Sequence, residues 1–170
     1  MDKVILVDES DRVVGESEKL KAHKDGLLHR AFSIFIFNSD NKLLIHKRAA
    51  NKYHSAGLWT NTCCSHPKPG ETTIEAAIRR LNEEMGMHCK LNFAFSFVYE
   101  TTFDNGLIEH EYDHVFIGVS DELPTPNPTE VSDWQYANLQ DIQTDIQNRP
   151  SEYTEWFKIC VTEYNKKLVY

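Results

Sequence analysis

The stretch SHPKPGETTIEAAIRRLNEEMGM, residues 65–87, decides the fold because it predicts one amphipathic helix with both of its ends marked. Thr72 and Glu75 have the spacing of a capping box, in which two side chains satisfy free backbone N–H groups at a helix start. Gly86 follows the last apolar position, where a left-handed residue commonly ends a helix. Between these ends, the apolar residues recur at helical spacing: Ile74, Ala77, Ile78, Leu81 and Met85.

Segments with strand character lie on both sides of this helix. Residues 28–37 carry Phe and Ile on both faces, which predicts a strand buried on both sides. Asn105-Gly106 predicts a hairpin turn between two long alternating segments. A second apolar stripe, residues 153–164, follows Pro150 and predicts another helix. We therefore expect a mixed α/β domain of the α+β kind, with one sheet packed between helices. The predicted strands are residues 3–8, 13–18, 28–37, 42–48, 91–103, 107–119 and 131–137.

Length, charge and hydropathy limit the class of protein. The 170 residues suffice for a single domain, residues 1–170. A formal net charge of −8 argues against nucleic-acid binding, which usually needs a basic face, but not against a phosphate-bearing small molecule. No apolar run approaches the ~18 residues of a membrane span, and no secretory signal is visible. We expect a cytoplasmic protein whose four cysteines are free thiols.

The most informative segment for chemistry is Asn61-Thr62-Cys63-Cys64-Ser65-His66. In an extended chain, residues two apart point to the same side. Cys64 and His66 are therefore expected to project together, while Cys63 points the other way. This register predicts that only one of the two adjacent thiols faces a site.

A second group of metal-ligand residue types surrounds this segment in the sequence. Glu109 and Glu111 share one face of a predicted strand, although a solvated strand edge would give the same alternation. His23 and His29 bracket the entry to the buried strand, and a lone buried histidine is commonly only hydrogen-bonded. Together with His66, they form a histidine-rich, carboxylate-completed set, which favours Mn²⁺, Zn²⁺ or Fe²⁺ over Mg²⁺.

Charged residues on and before the first helix could bind a phosphorylated ligand. Arg80 and Glu84 lie on one flank of the helix, where an ordinary i,i+4 ion pair is the simplest interpretation. The functional interpretation is that Glu84 holds Mg²⁺ while Arg80 contacts a phosphate. Lys19, Arg48 and Lys52 could complete a diphosphate pocket, although each alone would be an unremarkable surface charge.

Residues 65–87 resemble a degenerate Nudix box, whose general form is Gx5Ex7REUxEExGU with U aliphatic. Ser65 takes the place of the leading Gly, and Arg80 takes the place of the first Glu of REUxEE. In Nudix hydrolases that Glu helps to hold the metals that activate water, so its loss argues against hydrolysis. The matching positions are Glu71, Arg79, Leu81, Glu83, Glu84 and Gly86.

Three further motifs are similar to those of type I isopentenyl-diphosphate isomerases: LLHRAFS at 27–33, TNTCCSHP at 60–67 and GLIEHEYDHVF at 106–116. The resemblance extends through nearly the whole chain. It implies a Nudix-like mixed sheet packed between helices. It also implies the interconversion of isopentenyl and dimethylallyl diphosphate, a 1,3-allylic rearrangement in cytosolic isoprenoid synthesis.

The resemblance also implies the cofactors and the role of each site residue. Cys64 and Glu111 would handle the proton, with Tyr99 assisting Glu111 and Trp156 facing the hydrocarbon. Glu84 would bind Mg²⁺ together with the substrate diphosphate. The protein would be a monomer or weak dimer whose partner is a prenyl diphosphate. One Mn²⁺ or Zn²⁺ would be held by His23, His29, His66, Glu109 and Glu111. The diphosphate contacts would be Lys19, Arg48, Lys52 and Arg80.

The expected chemistry explains why these residue types are needed. An unactivated alkene is a very weak base, so its protonation by a well-placed acid produces a tertiary carbocation or a species close to it. Either Glu111 or Tyr99 could be the immediate donor. The π face of Trp156 could stabilise the cation by about 2 kcal/mol. A thiolate at Cys64 could then remove a proton from C2.

Two other functions are compatible with parts of the sequence. A Nudix hydrolase that cleaves a nucleoside or prenyl diphosphate would keep a second box carboxylate where this chain has Arg80, and would not need Cys64. A metal-binding interaction module would use the same histidines without turnover.

Overall fold

A nine-stranded mixed sheet organises the computed structural model, which describes residues 2–169. The strands are β1 (Lys3–Val7), β2 (Val13–Glu18), β3 (His29–Phe37), β4 (Leu43–Arg48), β5 (Trp59–Thr60), β6 (Cys63–Ser65), β7 (Asn92–Thr102), β8 (Ile108–Val119) and β9 (Val131–Ala137). The helices are α1 (Lys19–Asp25), α2 (Thr73–Met85), α3 (Leu139–Asn148) and α4 (Glu155–Glu163), with 3-10 turns at Pro150–Glu152 and Asn165–Lys167. None of the helices within residues 2–169 combines the length and the apolar content that a bilayer span needs.

Strand β3 is the centre of this sheet. It pairs with β8 in parallel, from His29 opposite Glu111 to Phe37 opposite Val119. It also pairs antiparallel with β1, β4 and β6. Strand β8 continues into the predicted hairpin with β7, and β4 carries β5 and β9. The pairing of β3 with both β6 and β8 brings three chain segments that are distant in sequence to one end of the sheet.

The two faces of the sheet carry separate hydrophobic cores. One core contains Phe35 and Ile45 and packs against α3 and α4. The other contains Ile34 and Leu44 and packs against α2. Strand β3 is therefore buried on both faces, as its composition predicts. The predicted mixed sheet between helices is confirmed.

The ends of α2 have the predicted geometry. Glu75 N–H donates to the Thr72 hydroxyl at 3.3 Å, and Thr72 N–H donates to the Glu75 carboxylate at 2.9 Å. Gly86 ends the helix at φ +62°, and a Cβ atom there would lie 2.6 Å from the Thr125 carbonyl oxygen. Thr125 N–H donates to the Met85 carbonyl, so the proline-rich loop after β8 is fastened to the end of the helix. This fixes the position of the neighbouring Glu84.

Two helices are absent from the sequence prediction. Helix α1 has only seven residues, too few for an apolar period to stand out, and it ends at the left-handed Gly26. Helix α3 buries only Ile142 and Ile146. The predicted second helix starts later than its apolar stripe, because the backbone of Tyr153 bridges to Trp59 instead of continuing α4.

Candidate active site

A small cavity of about 60 Å³ lies beside the end of the sheet where β6 and β8 flank β3. The side chains of ten residues predicted for the site line it. They are Lys19, Arg48, Lys52, Cys64, His66, Arg80, Glu84, Glu109, Glu111 and Trp156. His23 and His29 lie directly behind His66, and Tyr99 lies behind Glu111.

The short strand β6 separates the two adjacent cysteines. Cys63 pairs with Ile34 and is completely buried in the core beneath α2. Cys64 pairs with Ser33 and faces the opposite core and the cavity, as strand alternation predicts. One guanidinium nitrogen of Arg48 lies 3.9 Å from the Cys64 sulfur.

The environment of Cys64 favours the protonated thiol. Burial raises the pKa of Cys64 to about 12, and the positive charge of Arg48 only partly opposes this increase. In the protein without bound cations, Cys64 is therefore a thiol and not the predicted thiolate. Additional positive charge next to the sulfur is needed to populate the thiolate.

Three imidazoles and one carboxylate form a buried cluster behind the cavity. The Nε2 atoms of His29 and His66 are 3.2 Å apart, and His66 Nε2 lies 2.8 Å from Glu111 Oε1. The distance from His29 Nε2 to the same carboxylate oxygen is 3.6 Å. One donor atom from each of His23, His29, His66 and Glu111 lies within 4.8 Å of the others.

Backbone carbonyls fix the orientation of two of these rings. His23 Nδ1–H donates to the carbonyl of Lys19 at 2.7 Å, and His29 Nδ1–H donates to that of Leu27 at 2.7 Å. Because a carbonyl oxygen can only accept, Nδ1 of each ring carries a proton, and Nε2 is the nitrogen left for a metal or a neighbouring group. This second partner is the usual device that orients a histidine ligand.

The fifth predicted ligand lies in a neighbouring group. One donor atom each of His23, His54 and Glu109 lies within 4.8 Å of the others, and His54 Nε2 is 3.5 Å from Glu109 Oε1. His54 is absent from the sequence prediction because it lies in a loop without any periodic pattern. Within residues 2–169, His23 Nε2 and Glu109 Oε2 are buried and have no hydrogen-bond partner. Such a buried histidine nitrogen and carboxylate oxygen, each without a hydrogen-bond partner, fit the coordination of a divalent cation.

The two glutamates of β8 have opposite pKa shifts. Burial and the nearby charge of Glu111 raise the pKa of Glu109 well above its usual range. Burial acts in the same direction on Glu111, but hydrogen bonds from His29 and His66 outweigh it and hold its pKa well below the usual range. The Tyr99 hydroxyl donates to Glu111 Oε2 at 2.7 Å. The solvated strand edge is therefore the wrong interpretation of this pair, since Glu109 and Glu111 are only 3% and 6% exposed.

The indole of Trp156 is held by a residue that sequence reasoning missed. Its Nε1–H donates to the side-chain oxygen of Asn61 at 3.1 Å, and Asn61 also donates to the carbonyls of Ile34 and Cys63. The guanidinium carbon of Arg48 lies 5.4 Å from the Trp156 ring centroid. Asn61 thus joins α4 to the strand that carries the cysteines.

A charged cleft of about 290 Å³ opens next to the cavity and shares Lys19, Lys52 and Arg80 with it. Arg80 forms the expected ion pair with Glu84. Glu130, which no sequence pattern singles out, forms ion pairs with both Lys52 and Arg80. The cleft can accept an anion if these cations exchange Glu130 for it. Among the four predicted diphosphate contacts, Arg48 lies outside the cleft, beside Cys64 and Trp156.

Comparisons with known proteins agree with this geometry. Residues 27–157 match the NUDIX domain family. The structure of DR0079 from Deinococcus radiodurans has the same fold, with a TM-score of 0.80 and 21% identity over 95% of this chain and 98% of that one. The fold and the site therefore define a NUDIX-domain protein.

The similarity of sequence is more specific. Isopentenyl-diphosphate Delta-isomerase 2 of Aromatoleum aromaticum is 54% identical over 160 residues, which cover 94% of this chain and 85% of that protein. The isomerase of Pectobacterium atrosepticum is 51% identical over 157 residues, with 92% and 88% covered. The chain belongs to the isopentenyl-diphosphate Delta-isomerase family.

Proposed function

We propose that the cavity interconverts isopentenyl diphosphate and dimethylallyl diphosphate by protonation and deprotonation. The observation that supports this most is that one cavity is lined by Cys64, Glu111 and Trp156, while a cationic cleft opens beside it. A proton adds to C4 of the alkene, C3 becomes cationic, and a proton leaves C2. No atom other than hydrogen is exchanged.

The Glu111–Tyr99 pair supplies the proton. Their oxygens are joined by a hydrogen bond of 2.7 Å, so the two groups hold the transferable proton together. General acid catalysis by a positioned group typically contributes about 10²–10⁴-fold to a rate. The buried position of Tyr99, only 7% exposed, keeps water away from this pair.

Trp156 stabilises the cation and helps to exclude water. The indole is 3% exposed, and its N–H is already occupied by Asn61, so its π face is the part available to the substrate. The Arg48 guanidinium carbon lies 5.4 Å from the ring centroid, a contact that supports a cation-stabilising role for this ring. Such an interaction contributes roughly 2 kcal/mol when the cation is desolvated.

Cys64 accepts the proton from C2. The protein alone holds its thiol protonated, and bound cations would supply the positive charge that favours the thiolate. After one turnover, the sulfur has gained a proton and the Glu111–Tyr99 pair has lost one. Exchange with solvent then restores both groups, so isotope from solvent enters the product.

Two divalent cations complete the site. A Mn²⁺ or Zn²⁺ ion bound to His23, His29, His66, Glu109 and Glu111 would neutralise the buried carboxylates and shift the pKa values of adjacent groups. Glu84, on the cleft side of the cavity, would hold Mg²⁺ together with the diphosphate.

The diphosphate anchors the substrate and takes no part in the proton transfers. Lys19, Lys52 and Arg80 line both the cleft and the cavity, so a charged head in the cleft places its hydrocarbon tail between Cys64 and Glu111. Binding energy from the remote charged group therefore holds the alkene in a reactive position.

The test distinguishes isomerisation from the hydrolysis that a Nudix box could suggest. Pure protein is incubated with isopentenyl diphosphate and Mg²⁺, and the products are followed by proton and phosphorus NMR. We expect dimethylallyl diphosphate without free phosphate, and loss of turnover after chelation that returns when metal is added. Release of inorganic phosphate without isomerisation would contradict the proposal.

A further inference from the structure

The cavity borders the charged cleft on one side and a surface groove on another. On one side it opens toward the charged cleft, with which it shares Lys19, Lys52, Ser65, His66 and Arg80. On another side lies a surface groove of about 410 Å³, with which it shares only His54. A ligand whose charged head occupies the cleft therefore extends its tail away from the cations, toward the part of the cavity that His54 bounds.

His54 and Phe103 form a stacked pair at this boundary. Their ring centroids are 4.7 Å apart and their planes differ by 12°. Phe103 lines the groove, while the His54 and Trp156 rings lie edge to face on the cavity side, with centroids 6.2 Å apart. His54 is 8% exposed and lines both the cavity and the groove, so the pair stands as a partition between them.

Contacts on both chain segments hold the partition in place. Arg48 donates to the backbone carbonyl of His54 at 3.3 Å. Asn105, in the turn after Phe103, donates through its side chain to the carbonyl of Tyr53 at 2.9 Å. The loop that carries His54 and the hairpin that carries Phe103 are therefore fastened to each other.

We propose that the stacked His54–Phe103 pair is the end wall of the substrate pocket and limits the hydrocarbon part of the substrate to its present length. The inference rests on the proposed function, because it assumes that the hydrocarbon tail lies beside Trp156. The cavity of about 60 Å³ offers little space beyond that ring, and the larger groove behind the wall is closed to the substrate. The wall is thus a specificity-determining element.

The test removes Phe103, the half of the wall on the groove side, which is not one of the proposed metal ligands. Phe103→Ala is compared with wild type on isopentenyl diphosphate and on a homologue in which an ethyl group replaces the methyl group on C3. One methylene changes discrimination by roughly 10- to 200-fold in a hydrophobic pocket. We expect the ratio of kcat/KM for the homologue to that for the natural substrate to increase by about tenfold.

Binding is measured in parallel with the saturated analogues of both compounds, which cannot react. Their relative affinities should shift in the same direction for Phe103→Ala, independently of turnover. Phe103→Leu, a smaller change, should produce a smaller shift and covers the case in which the alanine variant fails to fold.

Two control variants separate the wall from other effects. Thr102→Ala alters the same groove at a residue outside the stacked pair and should leave both ratios unchanged. His54→Phe keeps an aromatic wall but removes the nitrogen near Glu109, so the ratios should stay near wild type even if overall activity falls. Unchanged binding ratios in both Phe103 variants would overturn the end wall. Binding ratios that shift as expected, together with no isomerisation by wild type, would instead contradict the proposed function.

Discussion

At the scale of single residues, the site contains two glutamates, Glu109 and Glu111, whose surroundings shift their pKa values in opposite directions. Glu109 and Glu111 are both buried on one face of β8, yet of these two carboxylates it is Glu111 that His29 and His66 approach, at 3.6 and 2.8 Å. As a result, the pKa of Glu111 is lowered and that of Glu109 is raised. The two carboxylates can therefore have different roles in the same site.

Substitution by glutamine separates a ligand from a proton-handling group. Glu111→Gln keeps the shape of the side chain but cannot carry the proton, so turnover should fall by at least about 10²–10⁴-fold. Glu109→Gln should lose activity mainly through weaker metal binding. Turnover of both variants is measured across a metal titration, with bound metal assayed in parallel.

Excess metal should partly restore Glu109→Gln and leave Glu111→Gln inactive at full occupancy. Equal recovery of the two variants would mean that Glu111 is only a ligand. Tyr99, which donates to Glu111, would then be the first candidate for the acid.

Some residue contacts could be predicted and others could not. The opposite directions of Cys63 and Cys64 follow from strand alternation, and the structure has that register. His54, Asn61 and Glu130 could not be selected, because each acquires its contacts only when distant segments meet. The thiol form of Cys64 also escaped prediction, since it depends on burial rather than on spacing.

At the scale of elements, local signals marked the long strands and α2 well. The capping box of α2 and its glycine end involve residues within a few positions of one another, so the sequence contains the whole signal. Helix α1 is different, because its seven residues are defined by packing: Ala22 and His23 are buried beneath other elements. Its absence from the prediction also left the position of His23 unexplained.

Strand β4 provides a prediction about stability and pH. His46 is buried in this strand, and its Nδ1–H donates to the Thr62 carbonyl at 2.9 Å. Burial lowers the pKa of His46 to about 4, while the unfolded chain takes up the proton near pH 6.5. Its contribution to stability is therefore complete above pH 6.5 and is lost as the pH falls toward 4. This loss amounts to roughly 3 kcal/mol.

The comparison is with His46→Gln, in which no imidazole titrates. The free energy of unfolding is measured by denaturant titration at pH 7 and at pH 4 in the presence of a chelator. Wild type should lose roughly 3 kcal/mol more than the variant over this interval. Equal losses would show that the folded protein accommodates a charged His46.

At the scale of the whole molecule, the sheet brings residues that are far apart in the sequence close together in space. Strand β3 pairs with β6 and β8, and so brings His29, Cys64 and Glu111 to one place although they are far apart in the chain. Neither the order of strands nor the parallel β3–β8 pairing is visible in local patterns. The convergence of the site could be expected only from the resemblance to a family. The final arrangement follows from burying both faces of one sheet against helices.

The central claim is that the Glu111–Tyr99 pair gives one proton to the substrate and that Cys64, on one side of the cavity, removes another. It is tested most directly by isomerisation in D₂O, with deuterium in the dimethylallyl methyl group followed by NMR for wild type, Cys63→Ala and Cys64→Ala. Wild type and Cys63→Ala should incorporate deuterium at similar rates, because Cys63 is buried beneath α2. Cys64→Ala should show no incorporation while remaining folded. Activity that is retained in Cys64→Ala and lost in Cys63→Ala would contradict this account.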